Sequence, residues 1–201
     1  GANILIIGSE ENAPHAARTM VVSGNVIGSR EKNIVLFRAC RATISGNTIY
    51  GGRAMNIHFT QCRNIVLSGN NIGTRSSMHT SNDVYDDGLL LEDCGDCLIA
   101  DNIISEPRLG SDAQGGAVTI VGGRHCRIAN CQITRPKVRG VHLVGGMGCV
   151  VSDNTVVAPS TDEFRAAIEV SGGGQTHLVQ DNWISSALAN PIAIEEGAAE
   201  L

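Results

Sequence analysis

Seven times along the chain the same short pattern returns: VVSGNVI, TISGNTI, VLSGNNI, LIADNII, RIANCQI, VVSDNTV and LVQDNWI. Each copy reads apolar, polar, small or acidic, asparagine, variable, apolar. The asparagines are Asn25, Asn47, Asn70, Asn102, Asn154 and Asn182, with Cys131 in the fifth copy. Their spacings of 22, 23, 32, 29, 23 and 28 residues make about 22 the bare unit and place insertions in the longer copies. A fixed period in this range is the mark of stacked repeats, each too small to bury its apolar face alone.

About 13 residues before each asparagine stands a second short apolar run: IVLF, NIHF, LLLE, VTIV, VHLV and IEVS, with IAIE opening an eighth unit. Runs of this length that alternate in polarity are strands. Strands turning at Asn and Gly once per unit can stack copy on copy at about 4.8 Å. The expected fold is therefore all-β, a single domain over residues 1–201 forming a parallel β-solenoid of seven to eight coils. Composition agrees, since 24 glycines serve turns and only six aromatic residues leave the interior to stacked Ile, Val and Leu. A side-chain amide has both donors and acceptors, so asparagines one rung apart can bond to each other in a ladder. Gly or Asp before each accommodates unusual backbone angles.

The segments SGNTIYGG, SGNNIG and SDNTVV resemble the right-handed parallel β-helix repeats of the pectate-lyase-like superfamily, and the resemblance extends from about Val21 to Ile194. It implies a right-handed coil and an extracellular or cell-surface setting. That superfamily spans polysaccharide lyases, epimerases, glycosidases and tailspikes, so the resemblance speaks for fold more than for reaction.

Alternation places Ile57, Leu89, Val118, Val141 and Ile168 inward. One outward column then reads Val35, His58, Leu90, Thr119, His142, Glu169 and Ala193, and a second Lys32, Met55, Asp87, Gly116, Arg139 and Ala166. The long connections GTRSSMHTSNDVYDDG, SEPRLGSDAQGG, TRPKVRG and APSTDEFRA all occupy one point of the coil, so they are expected to rise side by side as a wall. Loops raised on a rigid scaffold are a usual place for binding residues. His79, Asp86, Asp87, Arg108 and Glu169 are the candidate substrate-binding residues, and Lys137, Arg139 and His142 the catalytic ones. Two rungs, roughly 10 Å, separate Asp87 from Arg139. His142 and Glu169, one unit apart, form either an acid–base pair or a surface ion pair. Asp83, Asp86 and Asp87 are candidate Ca²⁺ ligands against the alternative of a solvated turn, because they lack calcium-loop spacing. TRPKVR partly matches the R-x-P-x-x-R motif that the resemblance associates with proton abstraction. Its first position is Thr134, and no W-x-D-H counterpart exists.

Cys97, Cys126 and Cys149 each lie five residues before the ladder position, so a buried column of thiols is expected, with Cys40, Cys62 and Cys94 suggesting a neighbouring one. The C-x-x-C of Cys94 and Cys97 has no second pair at zinc-ligand spacing. Trp183 is either a sugar platform or buried beneath the C-terminal segment.

Fifteen Lys and Arg against 20 Asp and Glu give a net charge of −5 with no basic cluster, which argues against nucleic acid. No run of 18 apolar residues or basic leader is found, so neither a membrane span nor a targeting segment is expected. Two functions follow. One is an enzyme that removes the proton beside a carboxylate in a uronate-containing polysaccharide, as lyase or C5-epimerase, with cations or Ca²⁺ offsetting the negative charge. A glycosidase needs carboxylates about 5–9 Å apart, and Asp87 and Glu169, three units apart, are too distant. The other is a non-catalytic glycan-recognition or structural solenoid such as a tailspike or adhesin segment. Neither end reads as a cap, so flanking domains or a homo-oligomer are expected to cover them.

Overall fold

The structure, a computed structural model, describes residues 1–8, 17–73, 88–105, 115–158, 163–196 and 198–200. Its regular elements are all strands, arranged as three parallel sheets of eight, eight and seven strands, in which every neighbour comes from the next coil. Sheet one holds the longer strands, among them Lys32–Phe37, Met55–Thr60, Leu89–Glu92, Val118–Val121, Arg139–Val144 and Ala166–Ser171. Sheet two holds the strand just before each ladder asparagine, and sheet three the strand just after it.

Each sheet contributes stacked branched side chains to one core. Ile34, Ile57, Leu89, Val118, Val141 and Ile168 stack from sheet one, Ile44, Leu67, Ile99, Ile128 and Val151 from sheet two, and Ile49, Ile72, Ile104, Ile133 and Val156 from sheet three, all at most 1 % exposed. Register accounts for this order. Parallel strands one rung apart bring like residues together, and a single-residue slip would turn every one of these side chains to solvent.

The corner between sheets two and three holds the ladder. The backbone N–H and side-chain amide of Asn25 both donate to Asn47 Oδ1 at 3.0 Å, and Asn47 to Asn70 and Asn70 to Asn102 repeat the distance. Asn154 and Asn182 do the same further on. Each amide also donates to the carbonyl two residues back and, from Asn47 onward, to a carbonyl of the preceding coil, as Asn70 does to Ser68 and Ile44. At Cys131 the chain of amides is interrupted: Asn102 Nδ2 stands 3.9 Å from its sulfur, while Cys131 N–H still donates to Asn154 Oδ1 at 3.0 Å. The residue before the ladder is left-handed in all seven copies, Gly24, Gly46, Gly69, Asp101, Asn130, Asp153 and Asp181, with φ between 52° and 69°. This is why the pattern there accepts only Gly, Asp or Asn.

A second ladder lies at the entrance to sheet one. Asn3 donates to Asn33 Oδ1 at 2.9 Å and Asn33 to Asn56 Oδ1 at 2.8 Å, after which Gly88 follows in register. The thiols of Cys97, Cys126 and Cys149 are buried and free, as the repeat position requires. His177 continues their column: it accepts from Cys149 N–H through Nδ1 at 3.1 Å, which puts its proton on Nε2 toward Gly145 O. Cys62 and Cys94 are buried beside them, but Cys40 departs from the expected column. It bridges to Arg63, one position later on the coil, and is only half-buried. Burial pushes the Cys131 thiol up from its ordinary pKa.

Two outcomes are expected from this packing. Asn70→Ala strips the acceptor from Asn47 and the donor from Ile44, Ser68 and Asn102, and should cost about 2–4 kcal/mol by urea unfolding, several times more than Asn25→Ala at the half-exposed end. Conversely, Cys131→Asn supplies the missing amide and should raise stability by roughly 1 kcal/mol in the same measurement.

Candidate functional site

The outer face of sheet one is assembled by register. Val35, His58, Leu90, Thr119, His142, Glu169 and Ala193 pair in sequence across seven strands, so the column expected from alternation exists. Arg139 pairs with Ala166 three residues before it.

At the sixth and seventh coils this face carries a closed ionic cluster. Arg139 Nε donates to Glu169 Oε2 at 2.5 Å, and Nη1 reaches Gly115 O at 3.4 Å. His142 Nδ1 accepts from the N–H of Gly115 at 3.2 Å. Because a backbone N–H can only donate, the ring proton sits on Nε2, which faces Ser171 Oγ at 2.9 Å and Glu169 Oε1 at 3.5 Å. Although Arg139 and His142 occupy outward columns, both are covered, at 2 % and 0 % exposure. Burial above all, with Arg139 adding to it and Glu169 opposing it, pushes His142 down to about 4, so the ring is neutral near pH 7. The imidazole expected to act as base is thus enclosed, with Nδ1 occupied. Glu169, 20 % exposed, and Ser171 are what this cluster shows to solvent, beside a shallow groove lined also by Asn190, Ala193 and Glu195.

The TRPKVR segment spreads its cations apart. Arg135, in a left-handed turn with φ 58°, donates to Ser105 Oγ at 2.6 Å, and Lys137 pairs with Glu163 at 3.2 Å. His79, Asp83, Asp86, Asp87 and Arg108 lie outside the described residues. Among the described residues, no three His, Cys, Asp or Glu side chains converge as a metal ion would require. Trp183 is 60 % exposed on sheet three, paired with Thr155 and facing away from this surface.

A second cluster occupies the same sheet three rungs earlier, and alternation alone did not assemble it. Lys32 Nζ donates to His58 Nδ1 at 3.0 Å, and His58 Nε2 donates to Glu92 Oε2 at 2.5 Å. Thr60 Oγ1 joins at 3.2 Å from Nε2 and 3.4 Å from Glu92 Oε2. His58 is 17 % exposed and Glu92 40 %. The sequence signal was the outward column two places after His58, Phe37, Thr60 and Glu92, which follows from the same alternation.

Three parallel sheets, one coil per unit and an asparagine at the same corner in six of seven copies are the attributes of one architecture, and the family described as right handed beta helix region matches residues 4–156 and 80–200. The chain belongs to that right-handed β-helix family. Among solved structures, the β-helix is similar to the Azotobacter vinelandii mannuronan C-5 epimerase AlgE4 A-module, with a TM-score of 0.62 and 14 % identity over 92 % of this chain. The match spans only 58 % of that module, and at this identity it speaks to the fold. No curated protein matches the sequence significantly.

Enclosure of His142 has a measurable consequence. Its folded pKa is depressed, so the unfolded chain takes up a proton that the folded β-helix refuses: the stability this site confers is complete above pH 6.5 and is lost progressively toward pH 4. The loss amounts to roughly 3 kcal/mol. His142→Gln should be less stable than the parent at pH 7.5, yet lose less on acidification to pH 4.5, as read from urea midpoints. Parallel acid curves for the two proteins would remove His142 as the cause.

Proposed function

We propose that this β-helix binds an acidic, uronate-containing polysaccharide along the outer face of sheet one and removes the proton beside the uronate carboxylate. The observation that carries the reading is the pairing of two like clusters, each a cation, an imidazole and a glutamate, on one rigid face: Lys32–His58–Glu92 and Arg139–His142–Glu169. Three rungs, about 14 Å, separate the two histidines, a span that a short oligosaccharide lying along the coil axis covers. Proton abstraction beside a carboxylate needs a base, a cation to hold the developing enediolate and a scaffold that does not reorganise. Stacked parallel strands supply the last of these.

Within this reading the two clusters differ in role. Arg139 and His142 are positioning residues that fix Glu169 and Ser171 for contact with sugar hydroxyls, and Lys137, paired with Glu163, borders them from the adjoining connection. Polysaccharide is the expected partner, and Asp83, Asp86 and Asp87 remain candidate Ca²⁺ ligands beside it. The similarity to a mannuronan C-5 epimerase module supports a carbohydrate-active scaffold.

The test is to offer the protein mannuronan, polygalacturonate and a neutral glucan, following binding by calorimetry and turnover by ultraviolet absorbance and proton NMR. Binding of the uronate polymers, weakening as salt is raised, with chemical change at the carbon beside the carboxylate, is expected. Equal affinity for the neutral glucan would refute an acidic ligand. Uronate binding without turnover would identify a glycan-recognition solenoid instead.

A further inference from the structure

We propose that Lys32, His58 and Glu92 form a substrate-opened proton-transfer centre in which Lys32 caps the base until a uronate carboxylate draws it away, and that the reaction is a β-elimination. The proposal rests on the acidic polysaccharide reading above and assigns its chemistry to residues that reading leaves open.

Three observations lead to it. First, Lys32 differs from Arg139, the other cation in its outward column. Arg139 is neutralised by Glu169, whereas the ammonium of Lys32 has a neutral imidazole nitrogen as its partner at 3.0 Å among the described residues. A charge held by a neutral acceptor is the one most readily transferred to an arriving anion. Second, the protonation pattern of His58 is fixed from both sides. An ammonium can only donate, so Nδ1 is the unprotonated nitrogen, and Nε2–H is held by Glu92 at 2.5 Å with Thr60 alongside. Removing Lys32 from Nδ1 therefore exposes a lone pair on a ring whose other face is already anchored to a carboxylate that stabilises the imidazolium. Third, this cluster is open where its counterpart is shut. His58 and Glu92 retain 17 % and 40 % exposure, against full burial of His142.

The steps balance without an added reactant. The uronate carboxylate pairs with Lys32, and His58 Nδ1 takes the proton from the adjacent ring carbon, C5. The C–H electron pair passes into the carboxylate as an enediolate held by the ammonium. It then returns to form the C4–C5 double bond as the C4–O bond to the neighbouring sugar breaks, and the departing oxygen takes the proton back from Nδ1. Elimination is favoured over inversion because inversion needs a second donor across the ring. Among the described residues in register, Val35, Leu90, Met55, Phe37 and Val121 are apolar, and the hydroxyl of Thr60 is already engaged by His58 and Glu92 on the base's own side.

The experiment uses the intact protein on the uronate polymer that it turns over best. His58→Gln should lower kcat at least about 100-fold with KM changed less than about threefold. Lys32→Met should lower kcat and raise KM together, and Lys32→Arg should recover part of both. Glu92→Gln tests positioning: kcat falls at unchanged KM, and the Nε2–H signature of His58 in the ¹⁵N spectrum weakens. In the unmodified protein, adding uronate oligomer should shift the Nδ1 resonance of His58. Failure of the wild type to turn over any uronate polymer would overturn the function proposed above and this centre with it. A wild type that acts while His58→Gln retains its kcat would overturn this centre alone. Inverted C5 without new ultraviolet absorbance would overturn elimination.

Discussion

The stacked amides at the corner between sheets two and three hold the coil in phase. A side-chain amide that is donor and acceptor at once can pair with its own kind at the rung distance, and here each also ties down carbonyls of its own and the preceding coil. Buried backbone groups at a sharp corner would otherwise lack partners, at a cost of about 1–3 kcal/mol each. With the corner fixed in every coil, the strands on either side have no freedom to slip, and all three interior columns follow from that registration. The single thiol at Cys131 interrupts the amides without breaking the backbone bond to Asn154, so phase is carried across the gap.

The same registration makes the outer face of sheet one a fixed grid. Side chains from chain positions tens of residues apart, such as Lys32, His58 and Glu92, meet because each stands on a neighbouring rung at a known offset. The grid holds two clusters of like composition in opposite states. In one, Arg139, Glu169 and Ser171 close around a neutral His142 and every polar group is satisfied. In the other, a lysine rests on an imidazole and the glutamate faces solvent. Buried ionic groups are stable only when fully paired, which makes the first cluster a rigid mount, and the exposed, loosely balanced second one the place where an incoming anion changes the bonding.

Much of this was legible in the chain. The Asn and Gly spacing sets the period, the period sets the coil, and strict alternation assigns His58, His142 and Glu169 to one column. The thiol column was readable from its offset to the ladder. Other features were not. The second ladder of Asn3, Asn33 and Asn56 hides in three N–I pairs, because Asn64–Ile65 offers the same dipeptide in another place. Cys40 was misplaced because counting from neighbouring cysteines ignores the one-residue step at that turn. Glu92, at the tail of an apolar strand, stands in register with Thr60, and its bond to His58 runs diagonally to the next rung, a contact that reading one column at a time does not show.

What the sequence by itself determined is the architecture and the direction of each side chain, since both are consequences of local periodicity: period two sets the faces, and the unit length sets the stacking. Exposure was decided by the tertiary structure alone. Whether an outward residue meets water depends on which distant segment folds over it, as Gly115 does over His142, and no periodic rule encodes that contact. Partner choice was decided there too. A cation in the same column finds a carboxylate at Arg139 and an imidazole at Lys32 because the residues on the adjoining rungs differ, and rung adjacency exists only in the assembled coil.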